Sequence, residues 1–287
     1  MSIPTLRIAV QRSGRLSDKS LSLLDQSGID FPPSSRGLTS RATNFPLELL
    51  KVRDDDIPGY VATGIADLAI VGENVLLESE RECQIVKRLG FGKCRLAIAA
   101  PKGSPYTRIS EISGCRIATS HPKLLSQFLA SNRINADVYE ISGSVEIAPA
   151  LGISDLIADL VSSGETLLQN GLVEIASVQS FEACLISGFS LDQSKTATRD
   201  RFLTRITAVL DAKSIKYITL NAPTDKLPEL LSILPGLKSP SILPHGDGEW
   251  LSIHTVIREE NFWELIESLQ ARGAQGILVM PIEKVLQ

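Results

Sequence analysis

The sequence predicts an α/β protein with a two-lobed core and a smaller C-terminal module of the ferredoxin-like class. Three observations support this fold class. Strand-like and helix-like runs alternate through the first two thirds of the chain, which is typical of a mostly parallel sheet. One short segment occurs twice, as two similar lobes would require. After Lys213 the order changes to βαββαβ.

Composition excludes several classes of function. The chain has 287 residues, of which 43% are hydrophobic and 22% charged, with a formal charge of −4. An acidic protein is a poor partner for a polyanion such as DNA. No apolar run approaches the roughly 18 residues of a membrane span, and the start of the chain resembles a strand more than a signal peptide. We therefore expect a cytoplasmic protein that binds neither nucleic acid nor membrane.

Cysteine and histidine give no sign of a metal site. The four cysteines form no CxxC pair, and reduced thiols in the core are the simplest interpretation. The three histidines lie at no zinc-ligand spacing. No residue is therefore assigned as a metal ligand.

The first lobe begins with a predicted strand, Leu6–Val10, which ends before Gly14. Ser17 or Asp18 then caps a helix that continues to about Ser27. A second helix is predicted from the acidic run Asp54–Asp56 to Gly64, and Asp67–Val71 follows as a strand.

The repeated segment reads ADLAIVGENVL at Ala66–Leu76 and ADLVSSGETLL at Ala158–Leu168, 92 residues apart. Each copy has an acid, a strand, a glycine and the start of a helix. We interpret the copies as the same turn in two lobes joined by crossing strands near Cys94–Ala100 and Phe181–Gly188. Ligands of such folds bind in the crevice at the carboxyl ends of the strands.

The remaining elements define the other boundaries. In the second lobe, the predicted strands are Arg95–Ala100, Arg116–Thr119, Val138–Ile141 and Leu156–Val161, with helices at Pro122–Asn132 and Val145–Leu151 and extended returns at Leu172–Val178 and Glu182–Ile186. In the last module, the predicted strands are Lys216–Asn221, Ser241–Leu243, Trp250–Ile257 and Gly276–Ile282, with helices at Thr224–Leu234 and Asn261–Arg272. The predicted domains are lobe I at 1–94 and 182–213, lobe II at 95–181, and the C-terminal module at 214–287.

The second copy of the repeat has the character of a phosphate site. Ser162–Thr166 places three hydroxyls and a glycine at a strand-to-helix junction, where unpaired amides and the helix dipole favour an anion. Each hydrogen bond to a charged group contributes roughly 1.5–3 kcal/mol, so a few of them can hold a phosphomonoester without lysine. An ordinary serine-rich N-cap is the alternative.

Two carboxylates precede this loop. If Asp159 begins the strand that leads to it, Asp155 lies close by on the preceding turn. Carboxylates repel a phosphate, but they suit a ligand that also carries vicinal hydroxyls and a Mg²⁺ ion. A ribose phosphate combines these needs. Two solvated helix or strand caps are the alternative.

The first lobe carries weaker signals. Asp67 and Glu73 could receive donors from a base or sugar, and Arg12–Arg15 combines two cations with a glycine turn. A solvated basic loop is the alternative for the latter. The run Asp54–Asp56 is interpreted as a solvated helix start, and the absence of GxxxxGK[ST] disfavours a P-loop enzyme.

These motifs together resemble the ATP phosphoribosyltransferase family. The segment GSVEIAPALGISDLIADLVSSGETLLQNGL, at Gly143–Leu172, is similar to the family signature. The likeness extends through LRIAVQRSGRLS, VRDDDIPG, DLAIVGENVL, LPGLKSPSILP and GILVMPIEKV, and so covers nearly the whole chain. The resemblance implies a type II periplasmic-binding-protein-like core with a regulatory βαββαβ domain, the long form of the family. Ala69 stands where glycine is common and Ser163 where threonine is usual.

The resemblance also implies an activity. The family joins N1 of the adenine of ATP to C1 of phosphoribosyl pyrophosphate (PRPP), releasing pyrophosphate with inversion in a Mg²⁺-dependent reaction that opens histidine biosynthesis. Feedback inhibition by histidine is implied, with AMP as a further candidate inhibitor, and so is a dimer that assembles into a hexamer.

Residue roles follow from the same resemblance. The implied PRPP site consists of Asp155, Asp159, Ser162, Ser163, Gly164, Glu165 and Thr166. The implied ATP site consists of Gly14, Arg15, Asp67, Gly72 and Glu73. Asp155, Asp159 and Arg15 carry the implied catalytic roles. The implied histidine site consists of Leu237, Ser241, Val256 and Gly276, for which ordinary packing is the alternative.

Two other functions fit the pattern less well. A two-lobed cleft also serves solute-binding proteins and the effector domains of regulators, but no signal peptide or DNA-binding segment is evident. A phosphoribosyltransferase that uses a free base is chemically closer, yet it does not explain the regulatory module.

Overall fold

The computed structural model describes five stretches of the chain, residues 4–32, 37–189, 192–234, 239–246 and 248–286. They form two compact units. The first combines the chain up to Ser22 with Asp30–Thr198, and the second combines Leu23–Ile29 with Arg199–Gln287.

The elements of the chain up to residue 212 are, in order, β1 (Leu6–Gln11), α1 (Arg15–Gln26), β2 (Thr39–Arg41), β3 (Leu47–Val52), α2 (Ile57–Ala62), β4 (Leu68–Gly72), α3 (Glu73–Ser79), β5 (Gln84–Arg88), β6 (Cys94–Pro101), β7 (Arg116–Thr119), α4 (Pro122–Ser131), β8 (Asp137–Glu140), β9 (Leu156–Val161), α5 (Glu165–Gln169), β10 (Leu172–Phe181), β11 (Ala183–Ser187) and α6 (Thr196–Ala212).

The first unit contains two sheets with the same internal order. Lobe I has the order β2-β3-β1-β4-β11-β5, and lobe II has the order β10-β6-β9-β7-β8. Apart from the extra edge strand β2, the two sheets correspond strand by strand. Each has three adjacent parallel strands. The next strand is antiparallel to them and joins the sheet after the chain has crossed from the other lobe. The crossings lie at β5–β6 and β10–β11. The two-lobed fold class and the predicted crossing strands are confirmed.

Burial explains why these runs form central strands. Leu68, Ala69, Ile70 and Val71 of β4 are fully buried, which matches a parallel strand covered on both faces. In lobe II, β9 sends alternate side chains to two separate apolar clusters, with Leu156 and Ala158 in one and Ile157 in the other. Because β3, β1 and β4 run parallel, as do β8, β7 and β9, these strands of each lobe end at one edge of the sheet, and that edge carries the loops of interest.

The second unit contains the C-terminal module, with β12 (Ile215–Pro223), α7 (Leu227–Leu231), β13 (Ser241–Pro244), β14 (Trp250–Arg258), α8 (Phe262–Ala271) and β15 (Gln275–Pro281). Its antiparallel sheet has the order β13-β14-β12-β15. One face packs on α7 and α8 through a cluster that includes Ile218, Ile253 and Leu269. The predicted ferredoxin-like order is confirmed.

Three local predictions need correction. The predicted helix Val145–Leu151 is a single 3-10 turn at Val145–Ile147, because Pro149 supplies no amide. The helix predicted at Thr224–Leu234 is a 3-10 turn followed by the short α7. Strands β2, β3 and β5 were not predicted, because their short runs lack a clear alternation with neighbouring helices.

Candidate functional site

The candidate site is the cleft between the two lobes, where the carboxyl ends of parallel strands meet. In lobe I, strands β1, β3 and β4 lead into Gln11–Arg15, Arg53–Asp56 and Gly72–Asn74. In lobe II, strands β7, β8 and β9 lead into Ser120–His121, Ile141–Gly143 and Ser162–Gly164. The topology therefore brings most of the predicted loops to one crevice.

The predicted phosphate loop has the geometry of an open cradle. Gly164 lies in the left-handed region with φ +84°, and α5 begins directly after it. Ser163 Oγ accepts from the Glu165 amide at 3.4 Å, while the other loop side chains are exposed. A Cβ at Gly164 would come no closer than 3.9 Å to another side chain. Glycine is needed here for its backbone conformation, since the space around it is open.

A positively charged cavity of about 410 Å³ adjoins this loop. Ser162 lies on its lobe II side, and Arg15 and Lys19 of α1 lie on its lobe I side. Lys93, in the β5–β6 crossing, adds a third cation, while Asp54 is the carboxylate in the lining. Three cations against one acid suit a polyanion such as pyrophosphate or a triphosphate. Arg15 is among the predicted site residues, whereas neither lysine is.

A second cavity of about 500 Å³ lies between the crossing strands and shares Lys93 and Ser162 with the first. Glu73 lines it but is buried and paired with Arg88, which also lies 3.8 Å from Glu182. Gly72 and Glu73 therefore line cavities of the cleft, and the carboxylate of Glu73 already has a cationic partner.

Asp159 lies within β9, three residues before the loop. Its Oδ1 accepts from the Leu160 amide at 2.7 Å. Burial raises the pKa of Asp159, and the neighbouring carboxylate of Glu146 raises that pKa further, while His121 lowers it. Val145 and Ile157 belong to one apolar cluster, which places Glu146 beside the face of β9 that carries Asp159. Glu146 is not among the predicted site residues, because the sequence predicts a helix at this position that does not form.

Asp155 does not reach the cleft. It precedes β9, and its carboxylate accepts from the Arg116 backbone amide at 2.9 Å and pairs with the Arg116 guanidinium at 2.9 Å. Six strand residues separate it from Ser162, roughly 20 Å at the usual strand rise. The predicted placement of Asp155 beside the phosphate loop is therefore wrong.

Asp67 occupies the equivalent position in lobe I. It precedes β4, accepts from the Arg7 amide at 2.8 Å and pairs with Lys195 at 2.8 Å. In both lobes the acid ties the start of its own strand to the start of the neighbouring strand. Asp67 therefore lies at the opposite end of β4 from Gly72 and Glu73, with which the predicted ATP site groups it, and the counterpart of Asp67 is Asp155 rather than Asp159.

A third cavity, of about 520 Å³, continues the cleft along α3. Its acidic lining comprises Asp54, Asp55, Glu78 and Glu140. Burial and the flanking acids raise the pKa of Asp55. The run Asp54–Asp56, interpreted as a solvated helix start, therefore contributes to the cleft.

His121 lies at the lobe II edge of the same cavity and is buried. Burial lowers the pKa of His121, and the carboxylates that oppose this effect are Glu78, Asp159, Asp55 and Asp54. A neutral imidazole accepts as well as donates hydrogen bonds.

In the C-terminal module, Ser241 and Val256 lie on the sheet face opposite the helices. Ser241 pairs with His254 across β13 and β14, and Val256 pairs with Tyr217. Gly276 lies in β15, on the other edge, with φ +58°. Two strands lie between the strands of Ser241 and Gly276, and the three inter-strand spacings amount to roughly 14 Å, so one copy does not bring them to a single histidine-sized site. Leu237 lies outside the described residues.

The cysteines and the potential metal ligands of the described residues indicate no separate thiol or metal site. Cys83, Cys94, Cys115 and Cys184 are free thiols. Among the residues that the structure describes, no group of three or more potential ligands could hold a metal ion by itself. Over the same residues, no helix is both long and apolar enough to cross a membrane.

Family models match nearly the whole chain beyond residue 52. The model described as ATP phosphoribosyltransferase matches residues 53–208, and the model described as HisG, C-terminal domain, matches residues 212–284. ATP phosphoribosyltransferase from Cytophaga hutchinsonii is 49% identical over 98% of this chain and 99% of its own length. The enzyme from Bacteroides fragilis is 48% identical over the same shares.

A solved structure gives the same result for the core. The ATP phosphoribosyl transferase (HisG:HisZ) complex from Thermotoga maritima contains a chain that aligns with a TM-score of 0.60 at 28% identity. The alignment covers 97% of that chain but 71% of this one. This chain is the longer of the two, and it contains the C-terminal domain matched above.

Proposed function

The chain belongs to the ATP phosphoribosyltransferase family, and from this premise we propose how its cleft divides the two substrates. The protein transfers the phosphoribosyl group of PRPP to ATP in the first step of histidine biosynthesis. Its C-terminal domain identifies the long form of the family. The residue roles below are inferred from the geometry of the cleft.

The PRPP site lies on lobe II. The amides and hydroxyls of Ser162–Thr166 bind the 5-phosphate, and the left-handed Gly164 turns the amides outward. Asp159 and Glu146 accept hydrogen bonds from the ribose hydroxyls. The open loop beside a cavity with three cations is the observation that carries this assignment.

The ATP site lies on lobe I. Gly14 precedes α1, which begins at Arg15 at the cleft edge, and Gly72 precedes α3, which begins at Glu73. Arg15, Lys19 and Lys93 bind the phosphate groups that meet between the lobes, the pyrophosphate of PRPP and the phosphates of ATP. Asp67 and Asp155 stabilise the strands and take no part in binding.

The family generally depends on a divalent metal, and we infer Mg²⁺. Magnesium is usually held by one or two carboxylates together with substrate phosphates. Asp159 and Glu146 fit that requirement, since the described residues offer no larger cluster. When bound, Mg²⁺ neutralises charge on the leaving pyrophosphate.

The reaction needs positioning and electrostatics more than acid–base catalysis. The lone pair on N1 of adenine forms the bond to C1, and the C1–O bond to pyrophosphate breaks with its electrons leaving on oxygen. Positive charge develops on the ribose ring, where Asp159 and Glu146 stabilise it. Arg15, Lys19 and Lys93 stabilise the departing anion.

The C-terminal domain senses histidine in this proposal. Ser241 and Val256 share the sheet face that carries a hydrogen bond between Tyr217 and His254 of 2.8 Å. Gly276 lies at the other edge of the sheet, so a complete site requires a second copy. This supports a dimer that assembles further into a hexamer, with histidine, and AMP as a further candidate, acting as inhibitors.

Mass spectrometry of the product tests the activity. Incubation with ATP, PRPP and Mg²⁺ should give phosphoribosyl-ATP, whereas binding without turnover would favour a sensor.

Gly164→Ala tests the proposed phosphate loop, with Gly114→Ala as the matched control, because Gly114 has φ +83° and equally open surroundings at the other end of lobe II. We expect the KM for PRPP to rise about 10-fold or more in Gly164→Ala, equivalent to losing one charged hydrogen bond. An equal effect of both variants would place the phosphate elsewhere.

A further inference from the structure

The two lobes are joined at the start of helix α4. Pro122, the first residue of α4, has no amide to donate, so the first free donors are the amides of Lys123 and Leu124. Both donate to the carboxylate of Glu78 in α3 of lobe I, at 2.9 and 3.0 Å. His121, at the N-cap position, offers no side-chain cap. The cap of this lobe II helix therefore comes from the opposite lobe.

A second contact joins the same two segments. Asn74 Nδ2 of α3 lies 3.0 Å from Nε2 of His121, and both side chains are buried. The other ring nitrogen lies 3.0 Å from Ser120 Oγ. A neutral imidazole that accepts from Asn74 and donates to Ser120 satisfies both contacts. This hydrogen bond, like the cap, forms when the lobes are together.

Gly72 makes the Asn74 contact possible. A Cβ at Gly72 would overlap Asn74 Oδ1. The glycine at the end of β4 therefore allows Asn74 to fold back over its own turn and reach the other lobe. No positive φ is involved at this position, so close approach is the reason for glycine here.

The contacts lie between the two proposed substrate sites. Asn74 follows the Gly72–Glu73 turn on the ATP side and lines two of the cleft cavities. His121 follows β7, whose Thr119 pairs with Ala158, so His121 lies beside the end of β9 on the PRPP side. A small change in the angle between the lobes here changes the distance between adenine N1 and the sugar.

We propose that Asn74, Glu78 and His121 are positioning residues, which hold the lobes in the closed arrangement that aligns the attacking nitrogen with C1 of PRPP. This inference rests on the proposed division of substrates between the lobes. The three residues touch neither reacting atom, and they act by limiting the geometries that the closed cleft can adopt.

Separate measurements of turnover and binding test the proposal. We expect Glu78→Ala and Asn74→Ala to lower kcat about 10- to 100-fold, the usual result of a small misalignment. The dissociation constant of PRPP, measured by calorimetry on the full-length protein, should stay within about twofold of the wild-type value, because PRPP is bound by lobe II residues. Glu78→Gln keeps one acceptor oxygen and should lie between wild type and Glu78→Ala.

The matched control is Glu80→Ala. Glu80 pairs with Lys123 across the same two segments at 2.7 Å, but both side chains are about half exposed. We expect this variant to change kcat by less than about twofold, as is usual for exposed ion pairs. Should Glu78→Ala fail to fold, Glu78→Gln and Asn74→Ala carry the test.

Two results would overturn the proposal. A kcat within about twofold of wild type in Asn74→Ala and Glu78→Gln would show that the contacts do not align the substrates. A rise in the PRPP dissociation constant that matches the fall in kcat would place these residues in the PRPP site itself. Failure of the proposed function is distinguishable, because wild-type protein would then form no phosphoribosyl-ATP.

Discussion

The two acids before and within β9 should respond to substitution in opposite ways. Asp155 is an acceptor for three donors of Arg116, the backbone amide at 2.9 Å, Nη2 at 2.9 Å and Nε at 3.3 Å. Asp155→Ala leaves that amide without its partner, which costs about 1–3 kcal/mol. The ion pair is partly exposed, so solvent screens it and its own contribution to stability is small. We expect a loss of about 2 kcal/mol, or about 4–8 °C in the melting temperature of a core of this size.

Asp159→Asn should leave the stability unchanged or raise it, and should weaken the use of PRPP instead. Burial raises the pKa of Asp159, so the charged carboxylate destabilises the fold at pH values above its unfolded pKa. The Asp159→Asn variant should therefore unfold at the same temperature as the wild type, or at a higher one, at pH 7. The difference in melting temperature should vanish once the pH falls below about 3.8, where Asp159 is protonated in both the folded and the unfolded wild-type protein. Losing charged hydrogen bonds to ribose should raise the KM for PRPP about 10-fold or more.

Thermal unfolding and steady-state kinetics measured on both variants separate the two roles. The Arg116 contacts lower the pKa of Asp155, so its stabilising effect is present above the unfolded pKa and is lost as the pH falls. The loss of stability caused by Asp155→Ala, measured against the wild type, should therefore become smaller at acidic pH. The reasoning is refuted if Asp155→Ala keeps its melting temperature and raises the KM for PRPP as Asp159→Asn does.

The remaining predictions concern pH, regulation and thiol reactivity. Burial lowers the pKa of His121, so the unfolded chain binds a proton at a higher pH than the folded protein does. The free energy of unfolding should therefore decline as the pH falls below about 6.5. Chemical denaturation at pH 7 and 5.5 should show a smaller decline in the His121→Gln variant. Ser241→Arg, on the exposed sheet face, should abolish inhibition by histidine while the kcat without histidine is unchanged; retained inhibition would move the effector site. Burial raises the pKa of Cys184 to about 12, so iodoacetamide at pH 8 should modify it only after unfolding, and mass spectrometry of the native protein would contradict this by showing the adduct.

Strand positions in lobe II could be predicted closely from the sequence. Arg116–Thr119 and Leu156–Val161 form strands with the predicted bounds, because each is a short run with buried apolar residues between turn-forming residues. The segment after Ser144 could not be predicted in the same way. It has helical periodicity, but Pro149 and the left-handed Ser144 limit it to one turn.

The repeat shows where pattern matching fails. Matching Ala-Asp-Leu with Ala-Asp-Leu aligned Asp67 with Asp159, whereas the hydrogen bonds align Asp67 with Asp155. Sequence similarity alone does not report which backbone amide a carboxylate meets. Contacts between the lobes, such as that of Asn74 with His121, could not be predicted from the sequence either. They join residues that are far apart in sequence and meet only through the packing of two separate sheets.

The turn that follows the central strand therefore has a different function in each lobe. In lobe II the strand continues one residue further, and Gly164 adopts a left-handed conformation that turns the loop amides outward. In lobe I the strand ends at Gly72 in an extended conformation, and the missing Cβ makes room for Asn74. One glycine serves a ligand and the other serves a contact with the opposite lobe. A side chain at Gly164 should therefore weaken PRPP binding, and one at Gly72 should slow turnover of PRPP that is already bound.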